Sequence, residues 1–320
     1  MQTTVVLPDG FTVRPPEPSD AEAMFDMLAA YNTAVVGFAD CTLDETAYCI
    51  GRPGFDRTTD GWLVFDESGL PAGYATALGE GDAAVIGIEV AAQDSAVAAW
   101  LLEQTMRRAR AMGSEHGHSG VTIDAFVYRD DEPLRALLAN KGFATGTTYH
   151  RMRIDHTGAV AAAEVPAGVV IRRGALDDAT RSAAHKVTND CFRGQFGWVE
   201  RPYDEWLEAH ESLPIFEWSQ ITLLEVDGRA VAIRDCSDGY VENENCGRVG
   251  MLGVVEEFRG RGLAKFLLRD AFARDAAAGR MGTILLVDTN NPTPALGLYL
   301  SVGMSPTLVV DGWRRVLRVA

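Results

Sequence analysis

Arginine and glycine alternate at Arg259-Gly260-Arg261-Gly262, and a run with apolar residues at helical spacing starts at once with Leu263 and Ala264. The first amides of a helix have no intrahelical partner and, with the helix dipole, attract an anion. Glycines let the backbone approach that anion with no Cβ in the way, and arginines can reach a phosphate from the rim. Taken alone, the cluster also suits a basic nucleic-acid contact or an ordinary turn before a helix. It is not a Walker A loop, and GxGxxG is absent.

The elements that must position this cluster occur twice. In the second half a short apolar strand, "RVGMLGVV", feeds the cluster and the helix "GLAKFLLRDAFARDAAAG". A buried-looking strand, "TILLVDT", and a short helix stopping at Gly303-Met304 follow. The first half has "AAVIGIEV", "SAVAAWLLEQTMRRARAMG", "VTIDAFV" and a short helix stopping at Gly142-Phe143. Both long helices are expected to end in glycine, at Gly113 and Gly279. Upstream, each half opens with a strand and a helix start, at Ser19-Asp20 and at Asp177-Asp178. Each then shows two strands joined by a tight turn, the second at Asp227-Gly228. The Ala/Gly/Pro-rich stretch "DHTGAVAAAEVPAG" reads as a linker. The expected fold is α+β (mixed α/β): two similar tandem domains, residues 1–155 and 169–320 joined by 156–168, each a mixed, mostly antiparallel sheet flanked by helices.

Residues Arg259 to Ala264 resemble the Q/R-x-x-G-x-G/A acyl-CoA signature of the GCN5-related N-acetyltransferase (GNAT) superfamily. Val254 stands in the strand before it as in that family, and Glu256 stands where many relatives carry proline. Downstream, "DTNNPTPALGLYLSVGM" resembles the family's later motif, with Asn291, Leu298, Tyr299, Gly303 and Met304 at its positions. The two motifs are independent and correctly ordered, and the resemblance covers nearly all of residues 169–320. The layout of one competent and one weakened half resembles tandem N-acetyltransferases of the mycothiol synthase kind, in architecture and not in substrate.

The resemblance implies acetyl-CoA as co-substrate and direct attack of a primary amine on the thioester. The amides of Arg259, Gly260, Arg261, Gly262, Leu263 and Ala264 would hold the pyrophosphate. Backbone at Val254 and Val255 would pair with the pantetheine arm, and the N–H near Val254 would face the oxyanion. Asn291 joins the cofactor-binding set. Tyr299 would protonate the departing thiolate, a phenol having an ordinary pKa of about 10. The incoming ammonium must lose a proton first, since its pKa is about 10.4. The family base is often a carboxylate near the fourth strand. Asp235, Glu242 and Glu244 precede that strand in an acidic run, and Glu244, closest to it, is chosen; a solvated loop is the alternative. Glu256 caps the loop or faces solvent. Trp198, Phe216 and Trp218 either wall the acceptor site or pack in the core.

In the first half the motifs are damaged. Aligned without gaps, Gln93 and Ala98 keep the outer signature positions, Asp94 and Ser95 stand over Gly260 and Arg261, and Ala96 replaces Gly262. A carboxylate there repels pyrophosphate, and a Cβ narrows the approach. Leu138 stands at the Tyr299 position and has no proton to give. The first half is therefore expected to keep the fold and lose catalysis; whether it holds a CoA-like ligand stays open.

Composition bounds the alternatives. Net charge is −16, which opposes a general nucleic-acid binder and suits a cationic substrate or plain solubility. The five cysteines lack zinc-ligand spacing, and His116 and His118 read as a polar loop, so no metal is expected. There is no signal peptide and no apolar run long enough for a membrane, so a cytoplasmic protein with reduced thiols is expected. A tandem repeat mimics a dimer, which fits a monomer, and the oligomeric state is left open. The acceptor is expected to be a small-molecule amine. A protein or peptide amine, or a non-catalytic acyl-CoA-binding module, are the rival readings.

Overall fold

The computed structural model of the chain describes residues 5–52, 54–195, 198–213, 215–290 and 295–319. The first half runs β1 (Thr12–Arg14), α1 (Ala21–Val36), α2 (Leu43–Gly51), α3 (Arg57–Asp60), β2 (Gly61–Phe65), β3 (Pro71–Glu80), β4 (Val85–Ala92), α4 (Ser95–Glu115), β5 (Gly120–Tyr128), α5 (Glu132–Asn140) and β6 (Ala144–Asp155). The second runs β7 (Val169–Arg173), α6 (Asp178–Phe192), α7 (Tyr203–Glu211), β8 (Thr222–Val226), β9 (Arg229–Ser237), α8 (Val241–Glu244), β10 (Cys246–Val254), α9 (Leu263–Ala277), β11 (Gly282–Asp288), α10 (Ala295–Ser301) and β12 (Ser305–Arg318). The repeat of elements read from the sequence is present, and the fold is α+β with mixed, mostly antiparallel strands.

Local chemistry explains the boundaries. Asp177 and Thr180 form a capping box that starts α6. Asp227 and Gly228, both at positive φ, make the two-residue turn between β8 and β9. One boundary differs from expectation. Gly113 does not end α4, which continues to Glu115; a Cβ on Gly113 would lie 2.4 Å from Val121 and 2.7 Å from Val319. That glycine is there for close packing, whereas Gly279, just past α9, has the positive φ of a helix stop.

The compact units do not follow the expected halves. One comprises residues 1–148 with 309–320, the other residues 149–308. In the first unit β5 is bordered by the chain's last strand, in antiparallel register from Val310↔Tyr128 to Arg318↔Gly120. In the second, β11 is bordered by the end of β6, from Tyr149↔Asp288 to Asp155↔Gly282. Each half of the sequence thus gives its last strand to the other unit, so a division at 156–168 cuts through neither unit's true edge. Residues 156–168 form no regular element, although Val160 and Ala163 pack partly against the second unit's core.

Each unit has one parallel strand pair, β4 with β5 and β10 with β11. Apolar side chains of α4 and β5 bury one core in the first unit, and those of α6, α9, β8 and β9 bury another in the second. No described helix is long and apolar enough to cross a membrane. Among the described residues no group of three or more His, Cys, Asp or Glu is placed to hold a metal ion.

Candidate active site

The second unit opens where β10 leaves β11. The two strands pair in parallel only from Cys246↔Gly282 to Val249↔Leu285. On the other side, β10 pairs with β9, and the register slips between Val249↔Cys236 and Met251↔Asp235, leaving Gly250 as the extra residue of a bulge. A bulge bends and twists its strand. Here it falls where the pairing to β11 stops. The gap is a cavity of about 600 Å³, bounded by Gly250–Val254 on one strand and Leu286–Asp288 on the other. Val255 donates its N–H to Val231 O at 3.0 Å, on the β9 side. Successive strand amides alternate, so the Val254 N–H points into the gap. Gly253 lets β10 lie against α6: a Cβ there would sit 2.7 Å from Cys191 Cβ.

The strand passes through a short turn, Glu256–Phe258, into the glycine cluster. Gly260 and Gly262 have φ of 75° and 78°, and no atom lies within 4 Å of a Cβ placed on either. Their glycines are required by conformation, and the space before them is open. Gly262 is the N-cap of α9 and no side chain caps that end. The amides of Leu263 and Ala264 therefore face the cavity, whose lining includes Gly260, Gly262 and Lys265. Arg259 is exposed and donates from Nε to Val254 O at 3.1 Å; Arg261 lies over the Phe258 ring at 4.6 Å. The expected loop residues are thus brought together at one end of the cavity.

α9 is fixed by a buried cation. Arg234 of β9 is 1% exposed and donates to Leu267 O (2.7 Å), Asp270 (2.8 Å) and Thr222 (3.1 Å). Arg173 of β7 takes both oxygens of Asp270, at 2.9 and 2.6 Å. Burial opposes the Asp270 charge, but the two guanidiniums outweigh it and hold its carboxyl below the usual range.

Tyr299 lies on α10 and lines the same cavity, buried, with its pKa pushed up to about 12 by burial. The phenol therefore keeps its proton at physiological pH. Asn291 lies outside the described residues. Glu244 is not brought to the cavity. It ends α8 at the opposite end of β10 and is held by Arg151 and by Arg153 (2.6 Å). Tied to two guanidiniums at the far end of the strand, it does not reach the cavity, so the choice of Glu244 is corrected. Glu242 and Glu256 are exposed.

Asp288 lines the cavity itself, its Oδ1 accepting from the backbone amide of Asn290 at 2.8 Å, and a second carboxylate, Asp235, lies behind the lining. Asp235 pairs with Met251, a cavity residue, beside the bulge. Burial pushes its pKa up to about 7, with Arg248 acting the other way. Its Oδ1 is buried with no hydrogen-bond partner among the described residues. Its Oδ2 lies 3.9 Å from His210 Nε2. His210 Nδ1 sits 2.7 Å from Trp206 O, a carbonyl that can only accept, so Nδ1 carries the hydrogen and Nε2 offers a lone pair. Burial keeps this ring neutral, below its ordinary pKa. Trp198 lines the cavity, whereas Phe216 and Trp218 pack on His210 at 4.7 and 5.7 Å between ring centres. Lys265, Gln195 and His210 escaped the sequence reading; only Gly250, interrupting an apolar strand, carried a usable signal there.

Residues 183–304 match the model of the acetyltransferase (GNAT) family. The second half of the chain belongs to the GNAT acetyltransferase family. Members typically use acyl-CoA, and the cavity, loop and Tyr299 occupy one GNAT domain. The whole chain has the tandem GNAT fold. It is similar to a GCN5-related N-acetyltransferase from Sphaerobacter thermophilus (22% identity, 98% of each chain covered, TM-score 0.80). It is also similar to a tandem GNAT protein from the clavulanic acid biosynthesis pathway (16%, 97% and 99% covered, TM-score 0.70). Saccharomyces cerevisiae N-myristoyltransferase aligns with 99% of this chain and 81% of its own (12%, TM-score 0.64). No curated protein sequence matches the chain.

The first GNAT-like domain shows the same splay, β4 leaving β5 after Ile88↔Ala125. Its loop, however, is cut short. Only residues 93 and 94 separate β4 from α4, against 255–262 between β10 and α9. Asp94 therefore occupies the N-cap position of Gly262, and the gapless alignment that set it over Gly260 is corrected. Asp94 Oδ1 accepts from the amides of Ala96 (2.8 Å) and Val97 (2.9 Å). The amides that would hold an anion are taken up by the domain's own carboxylate. Leu138, at the Tyr299 position, is 1% exposed in the core.

Proposed function

We propose that the protein transfers an acetyl group from acetyl-CoA to the primary amine of a small molecule, in the second GNAT domain. The observation carrying this reading is that one cavity joins the outward amide of Val254, the uncapped start of α9 and the phenol of Tyr299. Pyrophosphate sits on the amides of Gly260 to Ala264 with Arg259 and Arg261 at its rim, and the pantetheine arm lies along β10 as an added strand. The amine nitrogen attacks the thioester carbonyl carbon, and the oxyanion is met by the Val254 N–H. Collapse breaks the C–S bond, and the departing thiolate takes the phenolic proton of Tyr299.

Asp235 receives the proton that the ammonium gives up, directly or through one water. Its pKa of about 7 places it midway between the two forms at neutral pH, where a base is most effective. The cavity volume lies in the range of small-molecule sites, which favours a small acceptor over a folded protein.

Thiol release from acetyl-CoA across a panel of small amines and amine-terminated peptides tests this reading. Turnover on at least one small amine is expected. A panel-wide absence of turnover while acetyl-CoA still binds would favour the non-catalytic module.

A further inference from the structure

The cavity of the second unit spans both faces of the sheet, and the side chains lining one face are used by no step above. Side chains alternate along a strand, and residues paired across strands share a face. Val249, Leu285 and Val287 pack with Leu268 and Phe272 of α9 and with Tyr299 of α10, so the proton donor lies on that face. Leu286 and Asp288 alternate with these and point to the other face, where Tyr149, the partner of Asp288, stands with them. On β10 the bulge changes the alternation. Val249 pairs with Cys236 and Met251 with Asp235, adjacent residues of β9, so Val249 and Met251 lie on opposite faces. Met251, Gly253 and Asp235 therefore share the face of Asp288. α6 covers it: a Cβ on Gly253 would meet Cys191 and Phe192 at 2.7 and 3.2 Å.

This second face is lined by Tyr149, Phe192, Trp198, Met251, Leu286 and Asp288. All six are half-buried or exposed, so a ligand in the cavity can reach them. The Phe192 and Trp198 rings stack at 5.3 Å between centres. Among the described lining residues Asp288 is the charged side chain of this face, whereas the cations Arg259 and Lys265 belong to the loop end. Leu285 is the last β11 residue paired with β10, so Asp288 lies where the strands have parted. The backbone amide of Asn290 donates to its Oδ1 and orients the carboxylate. A carboxylate has about four acceptor sites, enough for an ammonium beside its protein donors.

We infer that the acceptor enters on this second face and is a primary amine with an aromatic or apolar body and no carboxylate of its own. Asp288 holds its ammonium, and Tyr149, Phe192 and Trp198 hold its body. The inference rests on the reaction proposed above and names its substrate class. An ammonium near these rings also gains from their negative faces, whereas an acceptor carboxylate would meet the Asp288 charge at close range. Hydroxyls laid against Leu286 and the rings would lose water without gaining a partner.

Thiol release from acetyl-CoA with three acceptors is the test: 2-phenylethylamine, phenylalanine, which adds only a carboxylate, and glucosamine. kcat/KM for 2-phenylethylamine should exceed that for either of the others by at least about tenfold, the worth of one charge-assisted contact. Asp288→Asn should raise KM for 2-phenylethylamine about tenfold and shrink the discrimination against phenylalanine, a ratio that partial unfolding does not move. Trp198→Ala should raise that KM about fivefold, the worth of an aromatic pair, and leave KM for ethylamine unchanged. Acetyl-CoA affinity should hold in both variants. Turnover of phenylalanine or glucosamine as efficient as that of 2-phenylethylamine, or an unchanged phenylalanine ratio in Asp288→Asn, overturns the inference and leaves acetyl transfer standing. No turnover on any amine removes the proposed reaction, and this inference with it.

Discussion

In the proposed reaction Tyr299 and Asp235 would divide the proton traffic, because their surroundings push them to different ends of the useful range. Tyr299, at about 12, keeps its proton until a thiolate takes it. Tyr299→Phe should lower kcat by roughly 10²-fold or more, the usual worth of a general acid, while KM for acetyl-CoA holds. Steady-state kinetics decide it, and an unchanged kcat removes Tyr299 from the mechanism. Asp235 must be ionised to act, and its pKa lies at about 7. Turnover should therefore climb with pH through that value, and Asp235→Asn should abolish the climb as well as most of the rate. A profile that keeps the same limb in Asp235→Asn assigns the base elsewhere. Tyr299 and the loop were legible because each sits in a local pattern. Asp235 was not, because its acidic neighbours Glu242 and Glu244 look alike in sequence, and only the register across the bulge at Gly250 separates them. Glu244 looked best by distance along the chain, but Arg151 and Arg153 come from β6, about ninety residues earlier.

At the scale of elements, α9 presents its N-terminus to the gap because Arg234 and Arg173 hold Asp270 against the sheet. Removing the charge of Asp270 leaves Arg234, 1% exposed, without its counter-ion. Asp270→Asn should cost about 3–5 kcal/mol, measured by denaturant unfolding at neutral pH. The sign with pH follows from the lowered carboxyl pKa. The stabilisation is complete above the ordinary carboxylate range and fades as acid drives the pH down through the folded-state pKa, so the difference between the proteins should shrink there. The contrast between α9 and α4 also shows where sequence reading stops. "AAQDSAVAAWLL" lies over "EFRGRGLAKFLL" without a gap and suggests substitution, whereas the first domain has lost most of the loop. Helix and strand periods identify elements but do not fix which short loop lost residues.

Over the whole molecule, the repeated order of elements was plain in the sequence, since periodicity and turn residues are local. The exchange of last strands was not, because pairing between Val310 and Tyr128, or between Tyr149 and Asp288, leaves no local mark. It has a direct consequence. Deleting residues 309–320 removes the strand beside β5 together with buried Asp311, Trp313 and Leu317. The truncated chain should lose the first unit's cooperative unfolding transition, seen by calorimetry or circular dichroism; a retained transition would show that the strand is dispensable. The same molecule carries one open α9 terminus and one α4 terminus closed by Asp94. Calorimetric titration with acetyl-CoA measures that asymmetry. The account predicts one site per chain, abolished by Gly262→Glu and unaffected by Asp94→Ala. Two sites, or binding that survives Gly262→Glu, would contradict it.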